Sequence, residues 1–417
     1  MTTATDRSAP PPRVVVLGAG PAGARLAARL GDDALLIGEE PHAPYNRVLL
    51  TDVLAGRYGP EVIALPAPAR QLRARAVLLE RAERVVVCAD GSRVPYETLV
   101  LATGANPVLP PLRGLFAPGA TGLPPGVHAF RTLDDCLALS AAVRPGRRAV
   151  VIGGGLLGVC AARALADRGA RVVLAQQGDR LMERQLDPAA SALVRRHLTG
   201  LGVEVHTECR VRGVARGGPD GAVTAVELAD GYRLDTDLTV LACGVRPRTG
   251  LARAAGLAVA RGVVVDDALR TSDPRVHAIG DCAEHAGRTP CLAAPALEQA
   301  DALAAALTSP GSARPYAGTR SLTRLTLPHA RTPLDVAAFG EPDALPDDDV
   351  LRLTDATRGT YRKVVTRGDR LVGGVLLGDL AAVGALARAW ELDEPLPADG
   401  SPPLHLLTHD LTHHGGS

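Results

Sequence analysis

Short apolar runs recur along the chain, each ended by glycine or a turn pair rather than by a long polar stretch. Val14–Leu17, Ala34–Ile37, Thr98–Thr103, Val172–Ala175 and Leu238–Leu241 read as strands buried on both faces, as does the run opening at Ala149. Val85–Val87, Val203–Val205 and Val223–Leu228 read as further strands, with Asp90-Gly91 and Asp230-Gly231 as turn signals. Gly262–Asp266 and Val276–Asp281 restart extended structure, and a helix is predicted from about Ala294 to Leu307. Strands alternating with Ala/Leu-rich helical segments predict an α/β protein with parallel sheets. Residues 107–126 are rich in Pro and Gly, the composition of a linker and of a crossover between domains.

Two runs are followed by the same device. After Val14–Leu17 come Gly18, Gly20 and Gly23 in G-x-G-x-x-G spacing, and a helix opening with Pro21 and Ala22. After the second run come Gly153, Gly155 and Gly158, with Leu156 and Leu157 opening the helix. Strand, glycine turn and helix in this order form a dinucleotide cradle. The first glycine permits the turn, the second lets a pyrophosphate approach, and the third lets the helix close on the strand. Free N–H groups at each helix start then point at the phosphates. Two cradles imply two nucleotides, of which FAD and NAD(P)H are the simplest pair.

Glu39 lies 21 residues after Gly18, beside Glu40, where a carboxylate accepts hydrogen bonds from an adenosine ribose. In the second unit the corresponding place holds Gln176 and Gln177, followed by Asp179 and Arg180. Glutamine does not repel a 2′-phosphate, and Arg180 could bind one or serve in a salt bridge, so both NADH and NADPH stay open. Arg47 sits among apolar residues, where a phosphate or a flavin edge would give its charge a partner. Ala102, Thr103 and Gly104 form a small-residue turn through which a ligand can approach backbone, and Gly280-Asp281 after a strand suits a ribityl hydroxyl.

The chain has 417 residues, room for two or three cored domains, and balances 46 basic against 45 acidic residues. That balance, with 2% aromatic residues, gives no sign of a nucleic-acid partner or an anionic membrane surface. No apolar run approaches a membrane span, and the first twelve residues read as a disordered leader without a signal-peptide core. A cytoplasmic location follows as the default. The seven cysteines include no C-x-x-C pair, against a disulfide framework, a zinc knuckle or a cysteine-held iron–sulfur cluster. His405, His409, His413 and His414 would share a helix face and could bind metal, though a floppy polar tail is the preferred reading and no metal site is assigned.

EEPHAPYNRVLLTDVLAG (39–56), GGGLLGVCAARALADRGARV (153–172), DRLMERQLD (179–187), VVVDDALRTSDPRVHAIGDCAEHAG (263–287) and YRKVVTRGDRLVGGVLLGDL (361–380) resemble the pyridine nucleotide–disulfide oxidoreductase superfamily. The likeness is nearest to the flavoprotein module opening the large subunit of NAD(P)H nitrite reductases, and covers Arg13 to about Leu392. It implies two Rossmann-like domains, the FAD domain (13–122 and 244–318) split by an inserted NAD(P) domain (123–243). A small C-terminal α+β domain (319–395) and a tail (396–417) would follow. Gly18, Gly20, Gly23, Glu39, Arg47, Thr103, Gly104 and Asp281 would hold FAD; Gly153, Gly155 and Gly158 would hold the nicotinamide nucleotide. Pro21, Ala22, Glu40, Thr51, Ala102, Leu156, Leu157, Gln176, Arg180, Gly244 and Gly280 complete the cofactor-binding set.

The implied reaction is hydride transfer from NAD(P)H to FAD, then release of single electrons to a separate redox protein: a ferredoxin, a rubredoxin or a siroheme nitrite reductase polypeptide. The alternatives are a ferredoxin or rubredoxin reductase serving an oxygenase or biosynthetic pathway, and a nucleotide-binding scaffold without turnover. A homodimer is compatible with either. The [2Fe–2S] and siroheme domains of the full nitrite reductase subunit fall beyond this sequence, so nitrite reduction by this polypeptide alone is not expected. Leu49, Leu50, Thr51 and Asp52 stand where the disulfide reductases carry a reactive cysteine, which argues against that chemistry. No catalytic acid or base is required. Cys160 stands where relatives often carry Glu, near the nicotinamide–flavin contact; a small packing residue is the preferred reading over a redox thiol.

Overall fold

The computed structural model describes residues 13–116, 122–217, 220–309, 311, 314–328, 332–396 and 407. The leader and the four tail histidines lie outside these residues. Contacts divide the chain into two units. The first takes the chain up to Leu50, Tyr58–Asn106 and Val245–Thr319; the second takes Thr51–Arg57, Pro107–Gly244 and the chain from Arg320 onward.

In the first unit, β-branched and leucine-rich runs form a five-stranded parallel sheet in the order Val276–Ala278, Thr98–Leu101, Val14–Leu17, Ala34–Gly38, Gln71–Arg73. Val14–Leu17 is buried along its whole length, as a strand covered on both faces must be. The helix Pro21–Leu30 buries Ala22, Gly23, Ala24, Leu26 and Ala27. Its Arg25 and Arg29 turn outward to Asp301 on the helix Ala293–Thr308. A three-stranded antiparallel sheet, Ala76–Glu80, Val85–Cys88 and Arg93–Pro95, carries the Asp90-Gly91 turn.

The second unit repeats this plan. Its parallel sheet runs Glu204–His206, Arg171–Ala175, Arg148–Ile152, Leu238–Leu241, Val127–Ala129. An antiparallel sheet of Val211–Gly217, Ala222–Leu228 and Arg233–Asp235 carries the Asp230-Gly231 turn. The strand predicted at 203–205 is Glu204–His206, one position later. The second unit takes up the Pro/Gly-rich stretch from Pro107. Arg113 exchanges backbone hydrogen bonds with Arg212 and Val214, and Leu115 is fully buried.

From Thr323 the second unit continues as a five-stranded antiparallel sheet, ordered Thr323–Leu327, Leu334–Gly340, Arg370–Leu377, Thr360–Arg367, Asp349–Asp355. The helix Val383–Glu391 covers it, burying Val383, Leu386 and Ala387. This is the small C-terminal α+β element expected from the sequence. Among the described residues no helix is long and apolar enough to cross a membrane.

Candidate functional site

In the first unit, Gly18 adopts φ +117°, and a Cβ there would stand 2.1 Å from the Ala102 carbonyl oxygen. A Cβ on Gly23 would stand 2.0 Å from the Gly18 carbonyl oxygen. Both positions exclude any side chain because backbone already fills the space. Gly20 differs: the nearest atom to a Cβ there is Arg47 Nε, at 3.8 Å. Gly20 is also the N-cap of Pro21–Leu30, and no side chain caps that helix. The uncapped N–H groups and the room over Gly20 fit a dinucleotide pyrophosphate.

The residues around that turn converge as their spacing suggests. Arg47 pairs with Glu40 and donates to the Tyr45 hydroxyl at 2.9 Å, while the Tyr45 hydroxyl donates to Glu40 at 2.6 Å. Arg47 therefore has a protein partner within the chain, one that sequence reasoning left to a ligand. Glu39 pairs with Arg248, whose backbone carbonyl accepts from Thr103 Oγ1 at 3.0 Å. Gly104, at φ +73°, has no atom within 4 Å of a Cβ position. Gly280 packs on Ala22 and donates its N–H to the buried Gln299 side chain at 2.7 Å; Asp281 follows in the one-turn segment Gly280–Cys282. The first unit thus brings together Gly18, Gly20, Pro21, Ala22, Gly23, Ala102 and Gly280 on one side, with Glu40 and Arg47 over the turn.

The second unit builds the same cradle. A Cβ on Gly153 would stand 2.5 Å from the Ala242 carbonyl oxygen, and one on Gly158 would stand 1.8 Å from the Gly153 carbonyl oxygen. Gly155 has nothing within 4 Å and caps the helix Leu156–Asp167 without a capping side chain. Leu156 and Leu157 form the open first turn, and Gly244 lies at the end of the return strand, its carbonyl accepting from Val108. Thr51 sits in the short helix Leu50–Leu54, grouped with this unit.

Two residues at the strand tip are already committed. Gln176 is buried, and its side-chain carbonyl accepts from the Gly154 N–H at 2.7 Å. Arg180 donates to Asp343 at 2.9 Å and to the Leu186 carbonyl at 3.2 Å. The sequence left Arg180 between a phosphate and a salt bridge; in the structure it forms the salt bridge. Glu183, which the sequence did not single out, places its carboxylate over Gly178, with Oε2 2.2 Å from a Cβ position there. Its distance from the glycine turn along the chain hides it from the spacing rule.

Cys160 is buried on the nucleotide helix, where burial, reinforced by Asp52 and opposed by Arg163, pushes the thiol up to about 12. Arg163, nearly free of solvent, donates to Asp167 at 2.7 Å and lies 3.6 Å from Asp52; Arg57 bridges the same two carboxylates. Asp187, Tyr361 and Lys363 form a second buried polar cluster. Among the described residues no group of three or more His, Cys, Asp or Glu could hold a metal.

Residues 12–300 match the family model for pyridine nucleotide-disulphide oxidoreductases, and residues 332–391 match the rubredoxin NAD+ reductase C-terminal domain. Nitrite reductase [NAD(P)H] of Bacillus subtilis (strain 168) is 34% identical over 381 residues, covering 88% of this chain and 46% of that protein. The ferredoxin–NAD(+) reductase component of the biphenyl dioxygenase system of Paraburkholderia xenovorans (strain LB400) is 35% identical over 283 residues, covering 65% of this chain and 67% of that protein. A chain of the covalent putidaredoxin reductase–putidaredoxin complex superposes with a TM-score of 0.82 at 26% identity, covering 95% of this chain and 98% of the other. The chain spans about half the length of the Bacillus relative.

Proposed function

The chain belongs to the pyridine nucleotide-disulphide oxidoreductase family, as an FAD-containing, NAD(P)H-dependent reductase, and from that premise we propose that it passes electrons to a separate redox protein. When bound, the flavin supplies the chemistry: it takes a hydride as an electron pair and returns electrons singly. The protein's share is to hold, orient and shield. Gly18, Gly20 and Gly23, with the uncapped helix behind them, would cradle the FAD pyrophosphate. Arg47, held by Glu40 and Tyr45, would meet its charge without ordering a free side chain at that moment. Glu39, Thr103, Gly104 and Asp281 would contact the rest of the cofactor. Gly153, Gly155 and Gly158, with Leu156 and Leu157, would cradle the nicotinamide nucleotide.

One observation carries the reading. Each unit ends a buried strand on a glycine turn whose first and third glycines are closed by backbone and whose middle glycine is open. Nothing in packing alone requires the middle glycine.

The acceptor is proposed to be a ferredoxin, a rubredoxin or a siroheme nitrite reductase polypeptide, in the cytoplasm where NAD(P)H is regenerated. The match of residues 332–391 to the rubredoxin NAD+ reductase C-terminal domain supports an iron–sulfur or rubredoxin-type acceptor as the second reading. The purified protein should be yellow, and NADH or NADPH should bleach it anaerobically. Bleaching with neither would reduce the chain to a nucleotide-binding scaffold. Reoxidation of the bleached protein by each of the three candidate acceptors in turn separates the remaining readings.

A further inference from the structure

The structure assigns recognition of the nicotinamide nucleotide's adenosine ribose to Glu183, and with it a preference for NADH over NADPH; this rests on the reductase reading above. In a dinucleotide fold the residue at the tip of the second strand reads the ribose 2′ position. A carboxylate there selects the hydroxyl, and a cation accommodates the 2′-phosphate. The strand here is Arg171–Ala175, and its tip is Gln176.

Gln176 faces the wrong way to do this. Its carbonyl accepts from the Gly154 N–H, and its Cβ and Cγ lie 2.9 and 3.1 Å from where a Cβ of Gly154 would be. The side chain braces the glycine turn. Only its amide nitrogen remains, and that lies 2.8 Å from the Cβ position of Gly178. Glu183 Oε2 lies 2.2 Å from the same point. The carboxylate and the amide nitrogen therefore share the space above Gly178, at the strand tip.

Gly178 is not among the residues with positive φ, so its backbone does not demand glycine; a Cβ there would displace the flexible ends of Glu183 and Gln176. The loop that returns after the strand thus delivers to this corner the acidic group that the strand itself lacks. Glu183 is exposed and available to a ligand.

The cation that would favour NADPH is withdrawn. Arg180 is held by Asp343, by the Leu186 carbonyl and by Asp179 at 3.4 Å. A 2′-phosphate entering here would meet the Glu183 carboxylate without a free Arg180 to offset it, and like charges brought together disfavour binding. Arg184 is the other cation in the sequence from Gln176 to Asp187.

The test uses the flavin-loaded protein. Its kcat/KM is measured for NADH and NADPH, and calorimetry gives the affinities of 5′-AMP and 2′,5′-ADP. We expect NADH to be favoured by about tenfold or more, and 5′-AMP to bind more tightly than 2′,5′-ADP. Glu183→Gln should narrow both ratios by about tenfold, through a raised KM for NADH and tighter 2′,5′-ADP binding. Gly178→Ala, which displaces the carboxylate, should move both ratios the same way. A wild-type preference for NADPH, or ratios that Glu183→Gln leaves in place, would overturn the assignment. Turnover with NADH but unchanged ratios would sink only the role of Glu183; failure of both nucleotides to bind or react would sink the reductase reading with it.

Discussion

Lys363, the only lysine in the chain, places its ammonium 3.1 Å from a carboxylate oxygen of Asp187, and both side chains are almost fully shielded from water. Asp187 is also the N-cap of the helix Pro188–Gly200, accepting from the Ala190 N–H at 3.0 Å, and it takes a hydrogen bond from the Tyr361 hydroxyl at 2.8 Å. Lys363 donates in addition to the Pro342 carbonyl at 2.6 Å. One carboxylate thus ties the helix after the second nucleotide strand to an inner strand of the C-terminal sheet, Thr360–Arg367. Removing one member of a buried pair leaves the other charge uncompensated, at a cost of about 3–5 kcal/mol. Lys363→Met is expected to lower stability toward urea by that amount, and Asp187→Asn combined with Lys363→Met to recover much of it. An amine-reactive ester should leave Lys363 unmodified in the native protein and label it after unfolding, as peptide mapping would read.

The same carboxylate sets an acid limit. Burial alone would raise the Asp187 pKa, but the Ala190 N–H, the Tyr361 hydroxyl and Lys363 outweigh it and hold the carboxyl below its ordinary value. A folded-state pKa below the unfolded one contributes stability that is present above the unfolded value, about 3.9, and is lost as pH falls through the folded value. Denaturation midpoints of the wild type should therefore fall steeply below about pH 4, and Asp187→Asn should flatten that limb while lowering the plateau at neutral pH. An unchanged acid limb in the variant would contradict the assignment.

The glycines of the second cradle separate folding from binding. At Gly158 a Cβ would lie 1.8 Å from the Gly153 carbonyl oxygen, so the helix must move away from the strand to accept one. At Gly155 a Cβ meets no protein atom within 4 Å. Gly158→Ala is expected to destabilise by about 2 kcal/mol or more, in the range of an overpacked core. Gly155→Ala should leave thermal stability within about 0.5 kcal/mol of wild type and weaken nucleotide binding at least tenfold, because the methyl would fill the place proposed for the phosphate. Differential scanning fluorimetry and NADH titration of the flavin-loaded protein give the two readouts.

What could be read from the sequence divides by distance along the chain. The cradles were legible because every part lies within about ten residues: Val14–Leu17 announces a buried strand, and Gly18, Gly20 and Gly23 announce the turn after it. The commitments of individual polar groups were not. Arg180 meets Asp343 across 163 positions, and Tyr361 meets Asp187 across 174. No local periodicity encodes such pairs, since they form only when a separate sheet packs against the nucleotide fold. Gln176 was legible as a missing acid, but its turn back onto Gly154 depends on where the folded glycine loop places that N–H.

Arg47 is expected to govern flavin retention. Its guanidinium lies beside Gly20 and is aimed by Glu40 and the Tyr45 hydroxyl, so the side chain is ordered by the protein. Arg47→Gln should reduce FAD affinity by about tenfold, the scale of one charge-assisted hydrogen bond, with little change in the fold. Tyr45→Phe should have a smaller effect in the same direction. Flavin absorbance per protein after gel filtration, followed by titration of the stripped protein with FAD, checks both; full retention in Arg47→Gln would remove this residue from the binding set.

Cys160 lies on the nucleotide helix, and its chemistry is decided by whether a thiolate can form. The side chain is buried, and burial raises the thiol to about 12, with the Asp52 carboxylate adding to the shift and Arg163 opposing it. A raised thiol pKa keeps the proton on sulfur across pH 7–10, and a protonated thiol is a poor nucleophile and a poor partner in disulfide exchange. The side chain is then a small apolar filler between the nucleotide helix and its neighbours. Iodoacetamide at pH 8 should leave Cys160 unmodified in the native protein and alkylate it once the chain is unfolded. Cys160→Ala should cost about 1 kcal/mol through the lost sulfur volume and leave the rate of flavin reduction by NADH within about twofold. A redox thiol predicts the opposite pattern: fast native alkylation, loss of turnover in the alanine variant and a titration step near the ordinary thiol value in the pH–rate profile. Any one of those three results would return Cys160 to the chemistry of the site.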